Sequence, residues 1–219
     1  VTFPFSGDAS DFAKTRIDPF IDQSPKLKDA IDRQLNNSDI KKFNSSLMYF
    51  RGTNGKTQAI SIPADCIVSD EIDRSDPHVL SQYQSRLTHS KYKLRRNFST
   101  PTIPGFGIAL EMESSQRLKN LCKCHHCNEW FLPDYFEHVK IPGYDHDLRS
   151  ITKSNLAKTR YLEAQLLCPK CGLEPSLMAE HREYVVENPN DNHEAHGYFV
   201  SPFDAPKART TIRTYRLDM

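Results

Sequence analysis

Cys66-Ile67-Val68-Ser69-Asp70-Glu71 is the stretch whose reading decides the fold. Its first four residues are short and mostly apolar, the pattern of a strand buried on both faces, with Cys66 read as a small core residue. Asp70-Glu71-Ile72-Asp73 ends the run abruptly. From Pro77 to about His89, Val79, Leu80, Tyr83 and Leu87 share one helical face, and Asp73 and Asp76 read as loop and helix-cap residues before Pro77. Lys93 to Phe98 is the next extended run, and it stops at Ser99-Thr100-Pro101-Thr102. Strand, acidic loop, helix, strand and polar loop is the alternation of a parallel α/β sheet. Such sheets bind ligands outside the carboxyl ends of their strands, where both polar tips fall.

Toward the N-terminus, Ser24 and Pro25 open a helix, with Leu27, Ala30, Ile31 and Leu35 at helical spacing. Ser46–Phe50 and Thr57–Ile62 read as extended runs joined across Asn54-Gly55, a hairpin turn signal. Gly52-Thr53-Asn54-Gly55-Lys56-Thr57 imitates a phosphate loop, but that loop needs a glycine where Phe50 stands. The spacing fails, and the chain carries no phosphate loop. The 219 residues are 37% apolar and 26% charged with net charge +1, which argues against a disordered polyelectrolyte and a wholly basic nucleic-acid coat. No apolar run approaches the roughly eighteen residues of a membrane span, and no export signal opens the chain, so it reads as soluble and intracellular. It opens at Val1 and closes on Arg216-Leu217-Asp218-Met219 without a stop signal, so a piece of something longer is expected.

Past about Ser114, cysteine, histidine and aromatic residues replace the α/β alternation. Cys124-His125-His126-Cys127 and Cys168-Pro169-Lys170-Cys171-Gly172 each offer two thiolates to one ion. Paired C-x-x-C spacing without an export signal points to metal before disulfides, and four sulfurs make a closed tetrahedral zinc site that supports folding. Gly172 suits a tight knuckle turn. Forty residues separate the pairs, so a helix or hairpin must fill the gap. Cys122 reads as a spectator, and His125 and His126 as solvated knuckle residues. Ile151 to Gln165 carries a weak helical pattern, and Tyr198–Ser201 reads as a strand.

An apolar strand delivering Asp-Glu at its tip is the Walker B arrangement of P-loop ATPases. There the aspartate holds Mg²⁺ and the glutamate orients and deprotonates the attacking water. Hydroxyls at the next strand's tip, Ser99, Thr100 and Thr102, can sense the γ-phosphate or its water by hydrogen bonding.

In their order, these pieces resemble the large terminase subunit of tailed bacteriophages. The resemblance runs from Phe12–Phe20 and Ser24–Leu27 through Ser61–Asp73, Phe98–Thr102, the knuckle pair with Trp130, and Gly197–Ser201. It implies a partial P-loop (RecA/ASCE-like) α/β parallel sheet with an inserted zinc-ribbon module. Residues 1–113 would be the C-terminal part of the ATPase domain, 114–183 the zinc ribbon, and 184–219 a return strand and linker toward a nuclease domain. Asp70 would hold Mg²⁺, Glu71 would be the catalytic glutamate, and Ser99 to Thr102 would couple hydrolysis to DNA movement. Cys124, Cys127, Cys168 and Cys171 would bind Zn²⁺. The parent would use ATP and Mg²⁺ to drive double-stranded DNA into the prohead, as a homo-oligomeric ring on the portal with a small terminase subunit. It would work in the host cytoplasm and cut DNA with a separate nuclease domain. The resemblance puts the ATP-cradling loop upstream of this window, so the isolated chain is expected not to turn over ATP.

Other readings compete. A zinc-ribbon nucleic-acid-binding module would use Lys91, Lys93, Arg95 and Arg96 on phosphates. A superfamily 2 helicase fragment shares the Asp-Glu and Ser/Thr tips but requires a second lobe. A His-Asn-His nuclease is suggested by Asn192-His193-Glu194-Ala195-His196, on a frame too large for that fold.

Overall fold

Asp-rich turns and short apolar runs build the first half of the chain around parallel strands. The computed structural model describes residues 1–54, 62–189 and 193–204. The chain divides into two units, Val1–Glu111 and Met112–Met219.

In the first unit, β1 (Thr2–Phe3) leads into α1 (Ser6–Phe12), and a π-helical turn carries the chain on to α2 (Asp18–Gln23) and α3 (Pro25–Ala30). Then come β2 (Ile31–Asn36), β3 (Ile40–Phe43), β4 (Ser46–Tyr49) and β5 (Arg51–Gly52). They are followed by β6 (Cys66–Ser69), α4 (Pro77–Gln84), β7 (Leu94–Asn97) and α5 (Gly107–Glu113). The order β5-β1-β6-β7 forms a parallel sheet. β6 therefore lies between β1 and β7, and β6-α4-β7 is the crossover unit expected of a parallel pair. Phe3, Ala9, Ala13 and Phe50 form a buried cluster where α1 meets the sheet, with the Phe3 and Phe12 rings 5.0 Å apart. Ile67, Ile72 and Val79 are buried.

Two local expectations differ from the structure, and a third, the hairpin, falls largely on residues outside the described ones. The helix that opens at Ser24 stops at Ala30, and Ile31–Asn36 is a strand. Polar side chains outcompete the helix there: the Asp32 carboxylate accepts the Gln34 amide, and Asn37 Oδ1 accepts the amides of Asp39 and Ile40. Ser46–Tyr49 pairs backward with β3, across Asn44 at φ 51°. Arg51–Gly52 joins the parallel sheet instead, beside β1. Gly52 is there for close approach, because a Cβ would lie 2.7 Å from the Ser6 amide nitrogen. Gly55 and residues 57–61 of the expected hairpin lie outside the described residues. Cys66 is exposed rather than core, since β6 buries only Ile67 and Ser69 fully.

In the second unit, β8 (Gln116–Lys123) is the spine. β9 (Trp130–Phe131) pairs with its end, while β10 (Val139–Lys140) and β11 (Gln165–Leu166) pair with each other. β12 (Arg182–Val186) runs antiparallel to β8, and β13 (His196–Phe199) parallel to it. The gap between the cysteine pairs holds a core of its own, with Val139, Leu148, Leu156 and Leu166 buried. The helical pattern after Ile151 yields one turn of helix, Lys153–Leu156, before the chain extends into β11.

The β2–β3 turn encloses a buried ammonium. Lys41 is 1% exposed, and its Nζ donates to Asp18 Oδ1 at 2.6 Å, Asn36 Oδ1 at 2.9 Å and the Asn37 carbonyl at 3.2 Å. Removing Asp18 leaves the buried ammonium without its counter-ion, whereas removing the cation leaves a carboxylate that water can reach, Asp18 being 38% exposed. Asp18→Ala is expected to cost about 3 kcal/mol in urea unfolding of the full chain, and Lys41→Met, which leaves only the part-exposed carboxylate unpaired, about 1 kcal/mol or less.

Candidate active site and metal centre

The acidic tip is stitched to both neighbouring strands. Asp70 donates its amide to the Thr2 carbonyl at 2.9 Å, Phe98 donates to the Ser69 carbonyl at 2.8 Å, and Ile72 donates to the Phe98 carbonyl at 3.3 Å. Below them, Thr2 Oγ1 donates to Ser69 Oγ at 2.9 Å in the interior. Asp70 and Glu71 thus leave the carboxyl end of the central strand with their backbone fixed from two sides. Glu71 is left-handed, at φ 51° and ψ 48°, a conformation that costs a residue with a Cβ about 1–2 kcal/mol and clusters at functional sites. Its amide donates to Asp70 Oδ1 at 3.0 Å, and its carboxylate takes Arg74 at 2.7 Å. Asp70 Oδ2 makes no hydrogen bond among the described residues. A hard carboxylate oxygen of this kind, partly exposed, suits Mg²⁺, which is usually held through one or two carboxylates.

Ser99–Thr102 follows β7, directly beside that tip. What joins the two turns is Asp73, which composition and spacing assign to an ordinary loop. Its amide donates to Ser99 Oγ at 3.2 Å. Its Oδ2 accepts the Thr102 amide and the Thr102 hydroxyl, each at 2.9 Å, and its Oδ1 accepts the Ile108 amide at 2.8 Å. Partial burial works against this carboxylate, but the amides of Ile108 and Thr102, with the hydroxyls of Thr102 and Ser99, hold its pKa below the ordinary value. Gly107, at φ 54°, passes so close that a Cβ there would strike the Asp73 carboxylate. Ser99 and Thr102 are therefore bound to Asp73, while the Thr100 hydroxyl is exposed and has no hydrogen bond among the described residues. The one sequence trace of this arrangement is a carboxylate three positions past Asp70 and a glycine at 107. Neither names its partner. Asp76 does cap α4, accepting the His78 amide at 2.8 Å.

In the second unit the sulfurs of Cys124, Cys127, Cys168 and Cys171 all lie within 4.8 Å of one another. Cys124 to Cys171 is 3.7 Å and Cys127 to Cys168 is 3.6 Å. A zinc–sulfur bond of about 2.3 Å gives a tetrahedral edge of about 3.8 Å, so the set fits that ion. The knuckles are built alike. Asn128 donates its amide to the Cys124 carbonyl at 2.8 Å, and Gly172 donates to the Cys168 carbonyl at 3.0 Å. Both have positive φ, 61° and 70°, with Asn128 filling the position that glycine fills in the second knuckle. Burial opposes the Cys168 thiolate, yet the amides of Cys171 and Lys170 and the neighbouring thiols bring its pKa down to about 7. Cys122 is buried but stands outside the set, its thiol 3.5 Å from the Ser176 carbonyl.

Other candidates scatter. Lys91, Lys93, Arg95 and Arg96 are exposed along β7 and the turn before it, but Arg95 is paired with Glu111 at 2.8 Å. His196 begins β13 and His193 precedes it, while Asn192 lies outside the described residues. No helix among the described residues is long and apolar enough to cross a membrane.

Residues 1–187 match the family model of the phage terminase large subunit gpA, ATPase domain. The chain belongs to that family. The match spans the acidic tip, the hydroxyl turn and all four clustered cysteines of this terminase ATPase chain. Neither a curated protein nor a solved structure matches it.

The cysteine geometry has a direct consequence. The full chain is expected to bind one Zn²⁺ by elemental analysis, Cys168→Ala is expected to lose it, and Cys122→Ala is expected to keep it. Because the ligands must be thiolates, acidification from pH 7 toward about pH 5 should release the ion. Retention by Cys168→Ala would contradict the four-sulfur set.

Proposed function

We propose that this chain supplies the hydrolytic half of the ATP site in a phage DNA-packaging motor. The observation that carries the reading is the adjacency of two turns, Asp70-Glu71 after β6 and Ser99–Thr102 after β7, at the carboxyl ends of neighbouring parallel strands in a terminase ATPase-family chain. In this reading Asp70 is the Walker B aspartate and holds Mg²⁺ through its free oxygen, directly or through water. Bound with ATP, Mg²⁺ neutralises charge on the phosphoryl group being transferred. Glu71 orients the attacking water and takes its proton, as a carboxylate of suitable reach does. Its backbone is left-handed, and Arg74 pairs with the carboxylate at 2.7 Å. Thr100 is the hydroxyl available to sense the γ-phosphate, and the turn around it passes that state on to the DNA-moving parts.

The phosphate loop, absent from this sequence, comes from an upstream segment of the parent. β7 supports its placement, since among the described residues this strand pairs on one side only and leaves an edge open to a further strand. Residues 1–113 act as the ATPase part, 114–183 as a zinc-ribbon insertion and 184–219 as the return toward a nuclease domain. The zinc site is closed and structural: the cysteines hold the ion, and the ion holds the two knuckles. Double-stranded DNA, a small terminase subunit and the portal of the prohead are the partners, in a ring of copies assembled in the host cytoplasm.

Glu71→Gln tests the reading in the full-length, packaging-competent subunit. Loss of a general base costs about 10²–10⁴ in rate, so turnover should fall by at least about 10² while ATP binding persists. Turnover within about threefold of the parent would contradict the assignment.

A further inference from the structure

The hydroxyl turn and the acidic tip belong to different strands, and the two ladder hydrogen bonds that Phe98 makes to Ser69 and Ile72 stop one residue short of Ser99. Beyond that point the contacts run through Asp73. One carboxylate oxygen takes both donors of Thr102, the other takes the Ile108 amide, and the Asp73 amide holds Ser99 Oγ. With three donors on its two oxygens, this carboxylate is a poor candidate for a metal ligand or a proton acceptor. Gly107 keeps the space beside it clear, since any side chain there would displace it. Thr100 lies between the two anchored residues, with its own hydroxyl uncommitted.

We infer that Asp73 is a positioning residue, which fixes the 99–102 turn against the acidic tip so that Thr100 is presented to the ATP site in register with Glu71. The inference rests on the ATPase reading above and adds to it a residue outside the Asp-Glu pair and the hydroxyl turn. Asp73 does not touch substrate. It acts by clamping Ser99 and Thr102 on either side of Thr100, and it ties the start of α5 to the same point through Ile108. A displacement in the acidic tip on hydrolysis is therefore carried to the hydroxyl turn and to α5 together.

The test is a double-mutant cycle in the full-length ATPase, with Asp73→Asn, Thr102→Val and the two combined. Asparagine keeps the size but turns one acceptor oxygen into a donor, facing donors already there. Misplacement of this order costs about 10- to 100-fold in rate. Asp73→Asn and Thr102→Val should each lower kcat by about tenfold or more, with KM for ATP within about twofold. The double variant should be no slower than the worse single one, because both remove the same contact. Thr102→Ser, which keeps the hydroxyl, should stay within about twofold of the parent. Losses that multiply, a change confined to KM, or Thr102→Ser as slow as Thr102→Val would overturn the inference. Hydrogen exchange separates it from the ATPase reading. In Asp73→Asn the amides of Thr102 and Ile108 should exchange about tenfold faster, and unchanged exchange would sink the clamp whatever the kinetics. If Glu71→Gln turns over normally, the ATPase reading fails, and with it the role of Asp73 in catalysis, whereas the exchange result still decides whether Asp73 holds the turn. Should Asp73→Asn not fold, Thr102→Val against Thr102→Ser, read by kcat and by Ile108 exchange, carries the same decision.

Discussion

The rest of the first unit depends on how the backbone amides are satisfied where β6 ends. A central parallel strand has neighbours on both sides, and its last carbonyl and the amides just beyond it must find partners or bear the penalty of burial. Here Asp70 turns its amide to β1 and Ile72 turns its amide to β7, so the chain passes from one neighbour to the other within three residues. Glu71 sits between these two commitments and absorbs the change of direction as a left-handed residue. The strain at Glu71 and its placement at the carboxyl edge of the sheet thus have one cause. Had β6 been an edge strand, water could have satisfied one set of amides, and nothing would have fixed the direction of the acidic pair.

Asp73 extends the same logic to side chains. A turn such as Ser99–Thr102 has free amides and three hydroxyls, and left to solvent it would sample many arrangements at little cost. A partly buried carboxylate facing several donors settles that choice, because charge-assisted hydrogen bonds are about twice as strong as neutral ones. The second unit solves the parallel problem with sulfur. Its two knuckles bring four thiols close enough together to share one ion, and such an ion would close a long loop whose interior, around Val139 and Leu166, packs as a small core.

Much of this was legible in the sequence, for identifiable reasons. The acidic tip, α4 with its Asp76 cap, and the hydroxyl turn follow from periodicity and capping, which are local. The four cysteines follow from spacing, and their separation in sequence did not hide the pairing because each knuckle is itself local. What could not be read was nonlocal. Ile31 and Leu35 keep helical spacing, yet Asn37 and its amide partners draw that segment into a strand against β3. Gly52 opens a stretch that imitates a phosphate loop, but its role is to let β5 approach Ser6. Asp73 looks like any loop carboxylate until the chain is folded and Thr102 and Ile108 arrive beside it from about thirty residues away. Cys66 shows the limit of the apolar-run argument: a strand between two neighbours still has two faces, and this residue lies on the exposed one.

The central claim is that the turn after β6 and the turn after β7 form one wall of a single nucleotide site. Paramagnetic broadening by Mn²⁺ with a non-hydrolysable ATP analogue, recorded on the amides of the full-length protein, reads that wall directly. Asp70, Glu71 and Thr100 should broaden together, while Cys127 and Cys171 stay sharp. Broadening that spares Thr100, or that centres on the cysteine cluster, would contradict the claim.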